Sequence, residues 1–341
     1  RDCLLSRGLG DVYKRQLVAP GDRVHYRAVD TLPADTQTAR KHLATPPRRP
    51  VFTLDDAGLQ TLYQDLGRQG NGNLGVTTSG STDRASARTA NAAVGNKRNA
   101  TLLENVGGLT MTALAETVIC VTGADADVTV GGRPAPLATP TIVPAGAEVA
   151  VKPARLGFRT YVAVRGGLIA DTELDSAATD MLSGLGPKPL AAGDTIAMSL
   201  TPPQSANSLL SNPLRVERDG ADVVGVVRCV LGPRDDWFDA DAVERFFNTT
   251  FTVTGDSNRV GLRLESDAPL TRSRDGELPS EGMVAGSVQI PPSGQPVLFL
   301  RDHAVTGGYP VIATVINEDV DIVAQLPPGG KLRFERYTLE G

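Results

Sequence analysis

Short apolar runs alternate with glycine- and proline-marked breaks along most of the chain. Runs such as Val118-Ile-Cys-Val121, Val128-Thr-Val130, Thr160-Tyr-Val-Ala-Val164, Arg228-Cys-Val-Leu231, Phe251-Thr-Val-Thr254, Val297-Leu-Phe-Leu300 and Val311-Ile-Ala-Thr-Val315 have strand length and strand composition. Helical signals are few. Asp83 is placed to cap a helix over 84–94 that stops at Gly95, and Asp239 to cap one over 240–247 with Val243, Phe246 and Phe247 on one face. A third short helix is predicted over 320–326. The pattern predicts a mainly β protein.

One unit recurs four times: Ala/Pro-Gly, two residues, an apolar residue, one residue, then another residue of the same face. Its copies begin at Pro20-Gly21, Ala145-Gly146, Ala192-Gly193 and Pro328-Gly329. The glycine supplies a turn and the alternation a strand, which suggests barrels that each finish in this way. Polar, low-complexity stretches at 34–50 and 201–213 then read as linkers. They delimit a first lobe over 51–200 and a second over 214–341. Residues 1–16 lack this rhythm and the apolar core of a signal peptide, and read as a non-native segment.

Composition narrows the function classes. There are 36 Gly and 24 Pro against 4% aromatics, which suits many short strands with frequent turns. A net charge of −5 with dispersed Lys and Arg argues against nucleic acid, and no apolar run is long enough to cross a membrane, so the expected location is cytoplasmic. Cys120 and Cys229 sit inside apolar runs and read as core. No metal site is expected.

Polar residues collect at the breaks. Asp65 and Arg68, in Gln64-Asp-Leu-Gly-Arg68, precede Gly75-Val-Thr-Thr-Ser79-Gly80-Ser-Thr-Asp83, an arrangement suited to an anion or amide. The alternative is a structural turn pair, with Asp83 only a helix cap. Glu104 lies in an apolar run, either as a buried partner for Arg68 or at a surface strand end. Ser257 to Glu265 alternates strictly, so Arg259 and Arg263 share one face of a strand, either gripping an acidic ligand across Gly261 or forming a solvated face. Glu281 and Gln289 flank a turn. In Thr306-Gly-Gly-Tyr309-Pro310 two residues lack Cβ, so a ligand could approach the backbone. Asp302 beside His303 suggests a triad, but no Gly-x-Ser-x-Gly elbow supplies a serine. No Walker loop, no dinucleotide fingerprint and no biotin-attachment tetrapeptide occurs.

In their order, these blocks resemble the family called allophanate hydrolase subunit 2, 5-oxoprolinase component C or biotin-dependent carboxyltransferase, which includes KipA-like regulators. The carrying residues are Gln64-Asp-Leu-Gly-Arg68, Ser79-Gly80 with Asp83, Asn91 with Gly95-Asn96, Glu104, Ser257-Asn-Arg259-Val-Gly261, Ser280-Glu-Gly282, Gln289-Ile-Pro291 and Thr306-Gly-Gly-Tyr-Pro310. The resemblance implies cyclophilin-like β-barrels in two lobes. Residues 17–33 resemble the end of component B of the same system, fused in front. It further implies component C of an ATP-dependent 5-oxoprolinase, working with subunits A and B on a small amide. The alternatives are carboxyl transfer from carboxybiotin to urea or a related amide, and non-enzymatic regulation of a histidine-kinase inhibitor. On this resemblance Asp65 and Glu281 would transfer protons or orient groups. Arg68, Ser79, Asp83, Arg259, Gln289, Thr306 and Tyr309 would bind substrate.

Overall fold

The computed structural model describes residues 48–338 apart from 201, 202, 208, 275 and 277. The first copy of the turn-strand unit, the segment resembling component B and most of the 34–50 linker lie outside the described residues.

The first lobe consists of two facing sheets. One has seven strands in the order Leu168–Ile169, Thr195–Ser199, Arg48–Asp56, Leu109–Ala113, Glu148–Val151, Val128–Val130, Arg133–Pro134. The other has five, in the order Gln60–Gln64, Leu102–Val106, Leu156–Val164, Thr117–Asp125, Thr141–Val143. Between them lie Phe52, Leu54, Leu103, Met111, Val121, Val149, Val162 and Ile196, all buried. Helix α1 (Arg84–Ala93) begins where its cap predicts, with the Asp83 carboxylate accepting from the Ser86 amide at 2.9 Å. Its Ala87, Ala90 and Ala93 pack with Val94 on Leu102, Cys120, Tyr161 and Ala163. Alanines let the helix sit close to the sheet, and Cys120 is core, as its run implies.

The second lobe is a closed barrel. Asp222–Leu231, Val311–Val315, Ser287–Gln289, Val297–Phe299, Gly261–Glu265, Phe251–Val253 and Lys331–Arg336 follow one another around it. Lys331–Arg336 then pairs in parallel with Asp222–Leu231, which removes both edges. The three Gly-turn units within the described residues all lead into strands: Glu148–Val151, Thr195–Ser199 and this closing strand. Helix α2 (Ala240–Asn248), capped by Asp239 through the Ala242 amide, presents Phe246 to the barrel. The Phe246 ring stacks on Phe334 at 4.4 Å and lies 6.0 Å from Phe251. The third helix, α3 (Val320–Val323), is shorter than its apolar pattern predicts: after Ala324 N–H bonds to Val320 O, the amides of Gln325 and Leu326 reach back only three residues, to Ile322 O and Val323 O.

The 201–213 stretch is pinned to the first lobe where it is described. Gln204 N–H donates to Gly95 O, Asn207 N–H to Ala93 O, and the Asn212 side chain exchanges two bonds with Gly123. Among the described residues no helix is long and apolar enough to cross a membrane.

Phe246→Ala empties the aromatic cluster that fills the barrel. It is expected to lower unfolding stability by about 3–5 kcal/mol, read from a denaturant midpoint at unchanged slope.

Candidate functional site

The two lobes meet at a buried seam centred on Arg259. Its Nε and Nη2 donate to the two oxygens of Asp302 at 2.9 and 3.0 Å. Nη2 also donates to Gly80 O at 2.7 Å, and Nη1 donates to the Thr82 hydroxyl at 2.5 Å and to Glu104. Glu104 further accepts from the Thr82 amide at 2.8 Å and faces Arg159 at 3.6 Å. Asp302 accepts from the Ser79 hydroxyl at 2.6 Å and from the Met181 amide at 2.9 Å. Ser79, Thr82, Glu104 and Arg159 come from the first lobe, Arg259 and Asp302 from the second. All six are buried.

Burial pushes the Glu104 carboxyl up, but the guanidiniums of Arg259 and Arg159 and the Thr82 amide outweigh it and hold it below its usual range. Burial likewise opposes the charge on Arg259, and Asp302 and Glu104 overcome it. The seam therefore buries two carboxylates and two guanidiniums as a chain, with Arg259 bridging Asp302 and Glu104 and Arg159 facing Glu104.

A second set of contacts surrounds this centre. Asp83 caps α1 and accepts from the Ser86 hydroxyl at 2.6 Å and from Gln325 at 2.8 Å. Gln325 also receives the amides of Phe158 and Arg159. Asp321, from α3, accepts from the amides of Arg84 and Ala85 at 2.9 and 3.1 Å. Burial first, then the nearby Asp321 charge, pushes Asp83 up to about 6, against the pull of its bonds to Gln325 and Ser86. Beside this group opens a cavity of 450 Å³, lined by Arg84, Arg88, Arg215, Arg301, Asn317 and Asp321 among others. Residues of both lobes form its walls.

The nine residues singled out from the sequence fall into three groups. Ser79 and Arg259 meet in the seam, with Asp83 at its edge. Asp65 and Arg68 belong to the first lobe and do not pair with each other. Asp65 accepts from Gly67 N–H, the Ser176 hydroxyl and Ala177 N–H at 2.7, 2.7 and 2.8 Å, and so fixes the loop that follows Ser176. Arg68, fully buried, donates to Ala178 O at 2.5 Å and Glu173 O at 3.4 Å. Glu281, Gln289, Thr306 and Tyr309 form the third group, wholly within the second lobe. Glu281–Gly282 and Thr306–Gly307 pair as a small ribbon, and Glu281 is bonded by Arg234. Gln289, buried, donates to Tyr309 O at 3.0 Å. Thr306 is exposed, and the half-exposed Tyr309 ring lies 5.7 Å from the Arg272 guanidinium carbon.

Several expectations need correction. Glu104 is buried but partners Arg259 and Arg159, not Arg68. Arg259 and Arg263 do not share a face: the strand starts only at Gly261, and Arg263 is exposed. The glycine turns have a packing cause. A Cβ on Gly67 would lie 2.2 Å from Thr78 O, one on Gly80 2.7 Å from Gly67 N, and one on Gly307 2.4 Å from the Gln289 amide nitrogen. Two turns lock together at the first pair and the Gln289 side chain sits against Gly307, whereas a Cβ on Gly308 would meet only Leu278 O at 3.5 Å, so the backbone there stays open to approach. The Asp302–His303 pair is no triad: Asp302 holds Arg259, while the buried His303 ring contacts Ala304 O at 2.8 Å.

Arg84, Arg159, Arg301 and Asp321 were not singled out by sequence reasoning. A charged residue inside an otherwise apolar strand, as Arg159 is in Leu156–Val164, was the available signal.

The carboxyltransferase-domain model, subdomains A and B, matches residues 74–336, and the chain belongs to that family. It is 31% identical to the C subunit of 5-oxoprolinase from Escherichia coli (strain K12), covering 83% of this chain and 90% of that one. It is 29% identical to the urea amidolyase of Saccharomyces cerevisiae, covering 83% of this chain and 16% of that one. Among solved structures it resembles TTHA0988, at 33% identity and a TM-score of 0.74 over 85% of this chain and 56% of that one. It also resembles the Kluyveromyces lactis urea carboxylase, at 26% identity and a TM-score of 0.76 over 89% of this chain and 29% of that one. The chain thus spans about half, or less, of these solved chains.

Two outcomes follow. Arg259→Ala leaves the buried Asp302 without a charged partner and Glu104 with Arg159 alone, and is expected to cost about 3–5 kcal/mol in a denaturant titration. For Asp83, the folded value of about 6 exceeds the ordinary 3.8, so its contribution is full below about pH 4 and is lost as pH rises through 6. The stability of the wild type minus that of Asp83→Asn should therefore fall by about 1–3 kcal/mol between pH 4 and 7. Parallel stability curves would refute this account of Asp83.

Proposed function

We propose that this chain is component C of an ATP-dependent 5-oxoprolinase of the cytoplasm, opening the lactam of 5-oxoproline to give glutamate together with subunits A and B. The observation that carries this reading is likeness along the component itself: the chain is 31% and 30% identical to two relatives named as the C subunit of 5-oxoprolinase, over 90% and 91% of their length.

The chemistry of the site supports the same reading. Hydrolysis of an unactivated amide needs charge stabilised where it develops on oxygen and the substrate held in register with its activating partner. The seam offers a rigid support, and the adjoining cavity offers guanidinium donors from both lobes. Its apolar lining is confined to Ala85, Pro213, Leu214 and the stems of longer side chains, which suits a small polar ligand. The sequence carries no Walker loop, and Gly67 and Gly80 are closed against backbone atoms, so these two glycines cradle no phosphate. Of the two proposed acid–base groups, Asp65 is saturated by three loop donors and acts as a positioning residue. Glu281 has both carboxylate oxygens paired with Arg234 but retains a quarter of its side-chain exposure, so it is the more accessible of the two to a substrate.

A second reading is carboxyl transfer from carboxybiotin to urea or a related amide, favoured by the family's own description and by the urea-named relatives. One reconstitution separates them. This chain with subunits A and B should form glutamate from 5-oxoproline only when ATP is present. Glutamate formation that proceeds equally well without this chain would exclude it as a component. Within that complex, Glu281→Gln is expected to lower turnover by about 10²-fold or more while the protein stays folded.

A further inference from the structure

The cavity between the lobes has an unbalanced lining. Arg84, Arg88, Arg215 and Arg301 face Glu318 and Asp321, in a chain whose net charge is −5. Arg215 is held by Asp319 at 3.1 Å and by Glu318 O. Arg301 reaches Asn317 at 3.2 Å and Asp321 at 3.4 Å, and its side chain is only 4% exposed. The Nε of Arg301 is buried and has no hydrogen-bond partner among the described residues, and the same holds for the Nε of Arg84. Arg84 has only two long contacts, to Leu66 O and Ser79 O at 3.4 Å each. Neither Arg84 nor Arg88 forms an ion pair with a carboxylate among the described residues.

Four guanidiniums therefore share one small space with two carboxylates, and Asp321 is itself bonded by the amides at the start of α1. Burial first, then the charge of Arg301, pulls the Arg84 guanidinium down to about 10. Such crowding is relieved by an added anion, and a planar carboxylate suits paired N–H donors.

We propose that this cavity receives the carboxylate of an amide substrate, with Arg84, Arg88 and Arg301 as its specificity-determining residues. The inference rests on the 5-oxoprolinase reading and sharpens it. 5-Oxoproline carries a carboxylate on the ring carbon next to nitrogen, whereas urea is neutral and offers these arginines nothing to pair with. The cavity thereby selects between the two kinds of amide met among the relatives. It also places the lactam near the seam, since Arg84 touches the Ser79 carbonyl on its other side.

The test uses the assembled complex. Arg88 is exposed, so Arg88→Gln should fold normally; Arg84→Gln and the conservative Arg84→Lys complete the set. Each Gln variant is expected to raise KM for 5-oxoproline by about 10- to 100-fold with kcat little changed, and Arg84→Lys to restore part of the loss. Cyclopentanecarboxylate should compete with substrate, and 2-pyrrolidinone, the same lactam without the carboxylate, should not. Unchanged KM in both Gln variants of an active complex, or equal inhibition by 2-pyrrolidinone, would overturn the assignment. If the wild-type complex does not hydrolyse 5-oxoproline, the functional reading fails. Titration of labelled 5-oxoproline onto the full chain by NMR then decides the cavity alone: binding lost in Arg88→Gln upholds it, and absence of binding overturns it.

Discussion

The burial of Arg259 is the constraint on which the arrangement of the lobes depends. A guanidinium has five N–H donors and cannot shed its charge. Here all five are used, on Asp302 twice, Gly80 O, Thr82 and Glu104. Three of those bonds cross to the first lobe. Removing such a group from water costs several kcal/mol, so the seam is tolerated only in the geometry that satisfies every donor. A lysine could not replace it, having three donors and no planar fork. The network adds little net stability, but it excludes sliding or rotation of one lobe on the other.

Other features follow from that requirement. Ser79 adopts a left-handed conformation with φ of 52°, costly for a residue with a side chain, and this turns its hydroxyl onto Asp302. Gly67 and Gly80 allow the two first-lobe turns to interlock and present the Gly80 carbonyl to Arg259. The Met181 amide binds Asp302, so the loop ordered by Asp65 and Arg68 is tied to the same carboxylate. Successive residues then serve different tasks. Arg301 lines the cavity, Asp302 holds the seam, and His303 packs away from both, its ring 6.1 Å from Phe299.

Much of the fold was legible because it rests on local rules. Strands follow the apolar runs, and Asp83 and Asp239 cap helices where their spacing requires it. The candidate site was legible only in pieces. Spacing marked Ser79, Asp83 and Arg259 as unusual, but not that Arg259 reaches past Gly80 to Glu104, a partner 155 positions away. Glu104 was harder, because an acid in an apolar run can lie at a strand end or in a buried pair, and only the opposing lobe decides. The strand-face argument for Arg259 and Arg263 failed because alternation is valid only inside a strand, and the chain between Ser257 and Gly261 is outside any strand. Arg84 and Arg301 left no motif, since each matters through what the other lobe brings to it.

The location of the site follows from how the lobes are filled. Phe246, Phe251 and Phe334 pack in the closed barrel together with aliphatic side chains. The first lobe's two sheets are likewise sealed by their own apolar faces. The proposed site accordingly lies between the lobes, where loops converge and charged groups are already partly desolvated. The seam supplies rigidity there and the arginine cavity supplies unpaired donors. In the proposed site neither would work alone, since Arg259 spends all five of its donors inside the seam and has none left for a substrate, and crowded arginines without a rigid support would spread apart into water.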